Sequence, residues 1–213
     1  MNARADILDR IRSALRDAPA VPEVPRDYRR SSGLGEEELI ELLTDRLLDY
    51  KASVFVEEAA AVPLRLAALL EGTGRYVVPH GLDQALFAEV DAHDGGSGRR
   101  VTDAPGDRLS VEELDGIDAV VTGSAVAVAE TGTIILDAGP DQGRRVISLV
   151  PDRHICIVRA GDITAILPEA LRRLDGTRPQ TWISGPSATS DIELERVEGV
   201  HGPRTLDVVI VRG

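Results

Sequence analysis

The stretch DAVVTGSAVAVAETGTIILDAGPDQGRRVISLVPDRHICIVRAGDI, residues 118–163, decides how the rest of the chain reads. It holds three short apolar runs rich in β-branched residues: AVVT at 119–122, TIIL at 133–136 and ICIV at 155–158. Runs of this length and composition read as buried strands rather than helices. The first two lie too close together for a crossover helix. That spacing predicts a hairpin-like or split arrangement inside the sheet. One acidic residue, Glu130, stands in the Gly/Thr turn between them. Outward from this block, strands are predicted at 53–56, 75–78, 182–184 and 206–211. Helices are predicted at 36–50, 62–70, 83–90 and 163–174, and residues 146–150 read as strand or short helix. Apolar β-branched runs alternating with helices predict an α/β fold, with a mainly parallel sheet flanked by helices.

Smaller signals fill in the connections. Ser110 and Glu113 have capping-box spacing, which predicts a helical turn at 110–114. The GGSG sequence within residues 94–100 marks a surface loop. At the N-terminus, residues 2–17 form a predicted helix capped by Asn2, with Ile7, Leu8, Ile11 and Leu15 on one face. Pro19, Pro22 and Pro25 follow as an extended linker. This divides the chain into an N-terminal helical arm at residues 1–33 and an α/β body at residues 34–213. The apolar stripe of the arm predicts packing on the body or on a partner chain.

Composition narrows the function. With 24 Lys+Arg against 36 Asp+Glu, the net charge is −12. The arginines are interspersed with acids, so no basic stripe is available to replace phosphate counterions, which disfavours nucleic acid as a partner. Cys156 is the sole cysteine, so this chain cannot by itself supply the several thiolates that an iron–sulfur cluster requires. It sits in an apolar run and reads as a small core residue rather than a nucleophile. No histidine pair has zinc-ligand spacing, so no metal site is predicted. No Walker loop, GxGxxG or G-x-S-x-G is present. Without an apolar leader or a run of about 20 apolar residues, the expectation is a cytoplasmic protein with no membrane span.

Three pieces carry residue types suited to chemistry. In Glu130-Thr131-Gly132-Thr133 the glycine permits a tight turn at a strand edge, and Glu130 has the character of a nucleophile or general base. The plainer reading is a turn glutamate paired with Arg144 or Arg145. In the loop 184–191, Gly185, Ser187, Thr189, Ser190 and Asp191 follow a strand, so their backbone N–H groups and hydroxyls suit a small anion together with Thr131 and Gly132. The plainer reading is a loop that caps the next turn. His201, held between Val200 and Gly202-Pro203, has the character of a proton shuttle; a lone loop histidine is more often structural. His154, at the head of a strand, reads the same way. The expectation is that the three pieces form one pocket.

Four motifs in order, AETGTIIL (129–136), LVPDRHICIV (149–158), ISGPSATSDIE (183–193) and VEGVHGP (197–203), resemble the LUD-domain family. Within it they are most similar to the small lactate-utilisation protein C (YkgG-type) branch. The resemblance covers the C-terminal half, and the N-terminal helix and Pro-rich linker also fit. It implies a fold similar to the ribose-phosphate isomerase, glucosamine-phosphate deaminase and CoA-transferase group. It implies a role in oxidising L-lactate to pyruvate, beside companion subunits that carry the iron–sulfur clusters, with no cofactor in this chain. In the CoA-transferase relatives a turn glutamate attacks the thioester, and Glu130 resembles it in local type. Three functions follow as expectations: a subunit of a lactate-oxidising complex, an enzyme acting on a small anion, or a metabolite-binding regulatory module. The last two would use a pocket around Glu130, Ser187 and His201.

Overall fold

The structure is a computed structural model, and it describes residues 3–16, 23–94, 98–189, 197–198 and 202–213. After helix α1 (Ala3–Ala14) and an extended linker comes α2 (Glu36–Asp49), then β1 (Ser53–Glu58), α3 (Val62–Leu70) and β2 (Tyr76–Pro79). A 3₁₀ turn at Gln84–Phe87 leads into α4 (Ala88–Asp94), followed by β3 (Arg100–Asp103), α5 (Val111–Asp115) and β4 (Ala119–Thr122). The next strands are β5 (Val126–Val128), β6 (Thr133–Leu136), β7 (Arg153–Arg159) and β8 (Ile163–Thr164). Then come α6 (Leu167–Leu171), β9 (Thr181–Ile183), the short pair β10 (Ala188–Thr189) and β11 (Val197–Glu198), and β12 (Thr205–Arg212).

Six strands form the main sheet in the order β1-β12-β7-β4-β2-β3, all parallel. Parallel strands are covered on both faces, and β2 and β4 are buried at every position, as their unbroken apolar sequences require. On one face lie Val62, Leu66 and Leu70 of α3 with Tyr76, Phe87, Ile155, Ile157 and Val209. On the other, Ile40, Leu43 and Leu47 of α2 meet Cys156, Val158, Val208 and Ile210, together with Ile134 from a second sheet. The period-two alternation along β7 and β12 sends neighbouring residues to opposite faces. The α/β class and the mainly parallel sheet are therefore as the sequence predicts. Cys156 is a buried core residue.

The second sheet is where local reading fell short. Its order is β8-β5-β6-β9, with β5 and β6 an antiparallel hairpin, β5 and β8 parallel, and β6 and β9 antiparallel. The hairpin is the arrangement that the close spacing demanded. Strands β5 and β8 of this sheet, β3 of the main sheet and the β10–β11 pair were not expected, and the helix predicted over 163–174 is instead β8 followed by the five-residue α6. Residues 145–148 form a 3₁₀ turn. The capping box of α5 forms as predicted: the Ser110 hydroxyl accepts from the Glu113 N–H at 3.2 Å, and the Glu113 carboxylate accepts from the Ser110 N–H at 2.7 Å.

The arm is attached by its linker rather than by α1. No residue of α1 is buried, and Ile7, Leu8, Ile11 and Leu15 are exposed. Residues 29–32 lie against the second sheet and α6. The Ser32 N–H donates to the Glu169 carboxylate at 2.7 Å, and Arg172 donates to the Arg30 carbonyl at 2.6 Å. Glu169 also accepts from the Ala165 N–H at 2.9 Å, so one carboxylate caps α6 and holds the linker.

Candidate functional site

The β6–β9 ladder pairs Ile134 with Ile183, which brings the Glu130 turn beside the loop that begins at Ser184. A chain of hydroxyls joins them. Thr131 Oγ1 lies 2.8 Å from Thr133 Oγ1, which lies 2.9 Å from Ser184 Oγ. Gly132 has φ +60°, and a Cβ there would stand 2.8 Å from Cβ of Arg46. Both the backbone conformation and the contact with α2 therefore demand glycine at this turn. Of the three pieces, the structure thus makes neighbours of the turn and the start of the loop.

Beyond Ser184 the chain borders a cavity of about 450 Å³ at the N-terminal ends of β7 and β12. Gly185 and Ser187 line it, facing Arg145, Ser148, Trp182 and His154. Gly185 has φ +91°, and the Ser187 N–H donates to the Pro203 carbonyl at 2.8 Å, pinning the loop to the approach of β12. Thr189 lies in β10, opposite Val197. Ser190, Asp191 and His201 lie outside the described residues.

Glu130 points elsewhere. Its side chain is 48% exposed and pairs with Arg29 of the linker, and it is not among the residues that line the cavity. Neither arginine named as its partner from the sequence takes that role. Arg144 forks onto Asp103, with Nε 2.8 Å from Oδ2, and also reaches the Leu109 carbonyl. Arg145 lines the cavity. Arg29 has no local signal, because its contact with Glu130 spans 101 residues of sequence.

The histidine that the structure puts at the cavity is His154. It is buried, its Nε2 lies 2.8 Å from the Thr122 hydroxyl, and that hydroxyl is 3.9 Å from the Cys156 sulfur. Burial holds the His154 imidazole at a pKa of about 4, so it is neutral at physiological pH. Burial likewise pushes the Cys156 thiol up to about 12, with a smaller opposing effect from its hydrogen bond to Thr122. A thiol held in that state is not a nucleophile. As a histidine at the head of a strand, His154 carries no mark of a role in its local sequence. Its place two residues before Cys156, on the same face of β7, is the signal that would have grouped the two with Thr122.

Comparison with known proteins agrees with this fold. A lactate utilization protein C from Deinococcus radiodurans is 43% identical over 98% of this chain and 95% of its own length. A protein of the same name from Shouchella clausii is 28% identical over 80% of this chain and 83% of its own length. The crystal structure of a DUF162 family protein from Deinococcus radiodurans superposes with a TM-score of 0.70 at 39% identity, covering 84% of this chain and 99% of that one. The family model described as LUD domain matches residues 84–211, which takes in the second sheet, the Glu130 turn and the cavity-lining loop. The chain belongs to the LUD domain family.

Proposed function

We propose that this protein serves lactate utilisation in the cytoplasm, as a subunit that assists the oxidation of L-lactate to pyruvate. The observation that carries this reading is the 43% identity, over nearly the whole of both chains, to a lactate utilization protein C. That oxidation releases two electrons and two protons. The chain's single cysteine is buried and held protonated, so it cannot supply the ligand set of an iron–sulfur cluster. The electrons then pass to iron–sulfur companion subunits, and this chain contributes positioning or regulation. Deletion of its gene from the host, with growth on L-lactate as sole carbon source, tests the reading. Growth should be lost and restored by the gene in trans. Undiminished growth, with lactate-dependent electron transfer in companion proteins purified without this chain, would overturn it.

A second reading is an anion-binding or catalytic module at the N-terminal-end cavity. The convergence of Arg145, Ser184, Ser187 and His154 on one space of about 450 Å³ favours it. In that reading Gly185, Ser187, Thr189, Ser190 and Asp191 hold the anion. Thr131, through the hydroxyl chain, and Gly132, through the turn it permits, support it, and Glu130, once released from Arg29, and His201 serve as base and proton carrier. Glu130→Gln should then abolish turnover without unfolding the protein. A thermal-shift series with lactate, pyruvate, sugar phosphates and CoA esters would detect the ligand, since binding to the native state alone raises Tm.

A further inference from the structure

A separate cavity of about 360 Å³ opens at the opposite edge of the main sheet. It lies where the chain leaves five of the six parallel strands. Ala59 follows β1, Gly81 follows β2, Gly123 follows β4, Arg159 ends β7 and Val211 lies near the end of β12. In open α/β sheets the crevice outside the carboxyl ends of the strands is where ligands bind. The walls are mostly apolar, with Val62 and Pro63 from the start of α3 facing Leu86 and Ile157.

The rim is built to hold one acid in place. Loop 139–143 is clamped to the strand ends: the Gly81 N–H donates to the Pro140 carbonyl, and the Gly123 N–H to the Asp141 carbonyl, both at 2.9 Å. A Cβ on Gly81 would lie 2.6 Å from the Pro140 carbonyl carbon, and one on Gly123 would lie 2.3 Å from Asp141 Oδ2. The loop is braced from behind. Asp137 pairs with Arg178 at 2.8 Å, and its N–H donates to the Gln142 amide oxygen at 2.6 Å. Ala138 sits at φ +59°, a strained conformation for a residue with a side chain. Strain of this kind persists only where the surroundings over-determine it, and here it fixes Asp141 at the cavity.

The polar groups specify a ligand. Ser124 Oγ donates to the Ile157 carbonyl at 3.0 Å, so towards the cavity it can only accept. The Asp141 carboxylate also accepts, and Asp83, the other acid that lines the cavity, already accepts from the Ala85 N–H at 2.9 Å. The inner wall therefore asks for a hydrogen-bond donor. Arg159 is exposed and has no ion-pair or hydrogen-bond partner for its side chain among the described residues, so it asks for an anion. The N-terminal end of α3 adds positive potential on the same side. We propose that this cavity binds a carboxylic acid with an apolar side chain and a donor on its α-carbon. The carboxylate sits on Arg159, the α-hydroxyl or α-ammonium donates to Asp141 and Ser124, and the side chain lies along Val62 and Leu86. This site does not depend on the lactate-utilisation reading.

Isothermal titration of the full chain with L-2-hydroxy-4-methylpentanoate, L-leucine and 4-methylpentanoate tests it. The hydroxy acid or the amino acid should bind at least about tenfold more tightly than the unsubstituted acid, because an analogue without the donor leaves the buried Ser124 hydroxyl and the half-buried Asp141 carboxylate unpaired. Which of the two binds identifies the donor. Arg159→Gln, at an exposed position, should weaken all binding about tenfold or more, and Asp141→Asn should remove the preference for the donor. Equal affinity for the unsubstituted acid, no heat from any of the three at millimolar concentration, or binding unchanged in a folded Arg159→Gln protein would each overturn the proposal.

Discussion

The two ends of the parallel sheet differ in what they reveal and how. The N-terminal end, with Ser184, Gly185 and Ser187, carries the residues that stand out in the sequence. Its cavity nevertheless includes a histidine that burial keeps neutral, and the nearby Glu130 is turned to solvent and paired with Arg29. The C-terminal end looks unremarkable in sequence: two glycines, a GPDQG loop and an arginine at the end of a strand. There the loop is clamped at backbone level, and a guanidinium with no partner among the described residues lines the same cavity as the Ser124 and Asp141 acceptors. Small-residue motifs announce tight backbone geometry. Ligand chemistry depends on which groups remain unsatisfied, and that emerges only after folding.

Substitutions at the two ends sharpen this contrast. The largest effect should come from Gly81→Ala. The new methyl would meet the backbone of Pro140 at 2.6 and 2.7 Å, which cannot move without breaking the Gly81–Pro140 hydrogen bond. A loss of about 3 kcal/mol or more in denaturant unfolding is expected. A loss under about 1 kcal/mol would show that the loop is not clamped. At the other end, Gly132→Ala combines a left-handed φ with one contact under 3 Å, to Cβ of Arg46 at 2.8 Å, against three such contacts at Gly81. About 1–3 kcal/mol is expected by the same measurement.

The next effect is electrostatic and belongs to the N-terminal end. The folded-state pKa of His154 is depressed to about 4 from an unfolded value near 6.5, so the unfolded chain takes up the proton first as pH falls. The stability contributed by its neutral burial is therefore complete above about pH 6.5. It is lost progressively down to about pH 4, by at most roughly 3 kcal/mol. Urea melts across that window should fall more steeply for the wild type than for His154→Gln, and identical slopes would contradict the assignment.

The smallest effect should be at Glu130. Its pair with Arg29 is about half exposed on both sides, so a double-mutant cycle of Glu130→Gln and Arg29→Gln should give a coupling of about 0.2–1 kcal/mol. A coupling of several kcal/mol would mean that the carboxylate is desolvated and poised, favouring the catalytic reading of that turn.

Much of the fold was legible because it rests on local pattern. The unbroken apolar runs of β4, β6 and β7 and the capping box of α5 follow from residue sizes and hydrogen-bond capacity over a few positions. Strand β5 was not legible, since SAVAVAE alternates weakly among small residues and is defined by its pairing with β6 and β8. Strand β8 and α6 share one apolar stretch whose break is set by Glu169 turning back onto Ala165. At the candidate site, the link from the Glu130 turn to Ser184 follows from a ladder that pairs Ile134 with Ile183, and the Arg29 contact from the path of the linker. Neither leaves a trace in local sequence.

The most direct test of where small molecules bind is amide hydrogen exchange of the full chain, with and without millimolar L-2-hydroxy-4-methylpentanoate and, in parallel, L-leucine. Protection should rise at residues 59–63, 81–86 and 123–124 with at least one of them. Protection confined to residues 145–149 and 184–187, or none at all, would contradict the account.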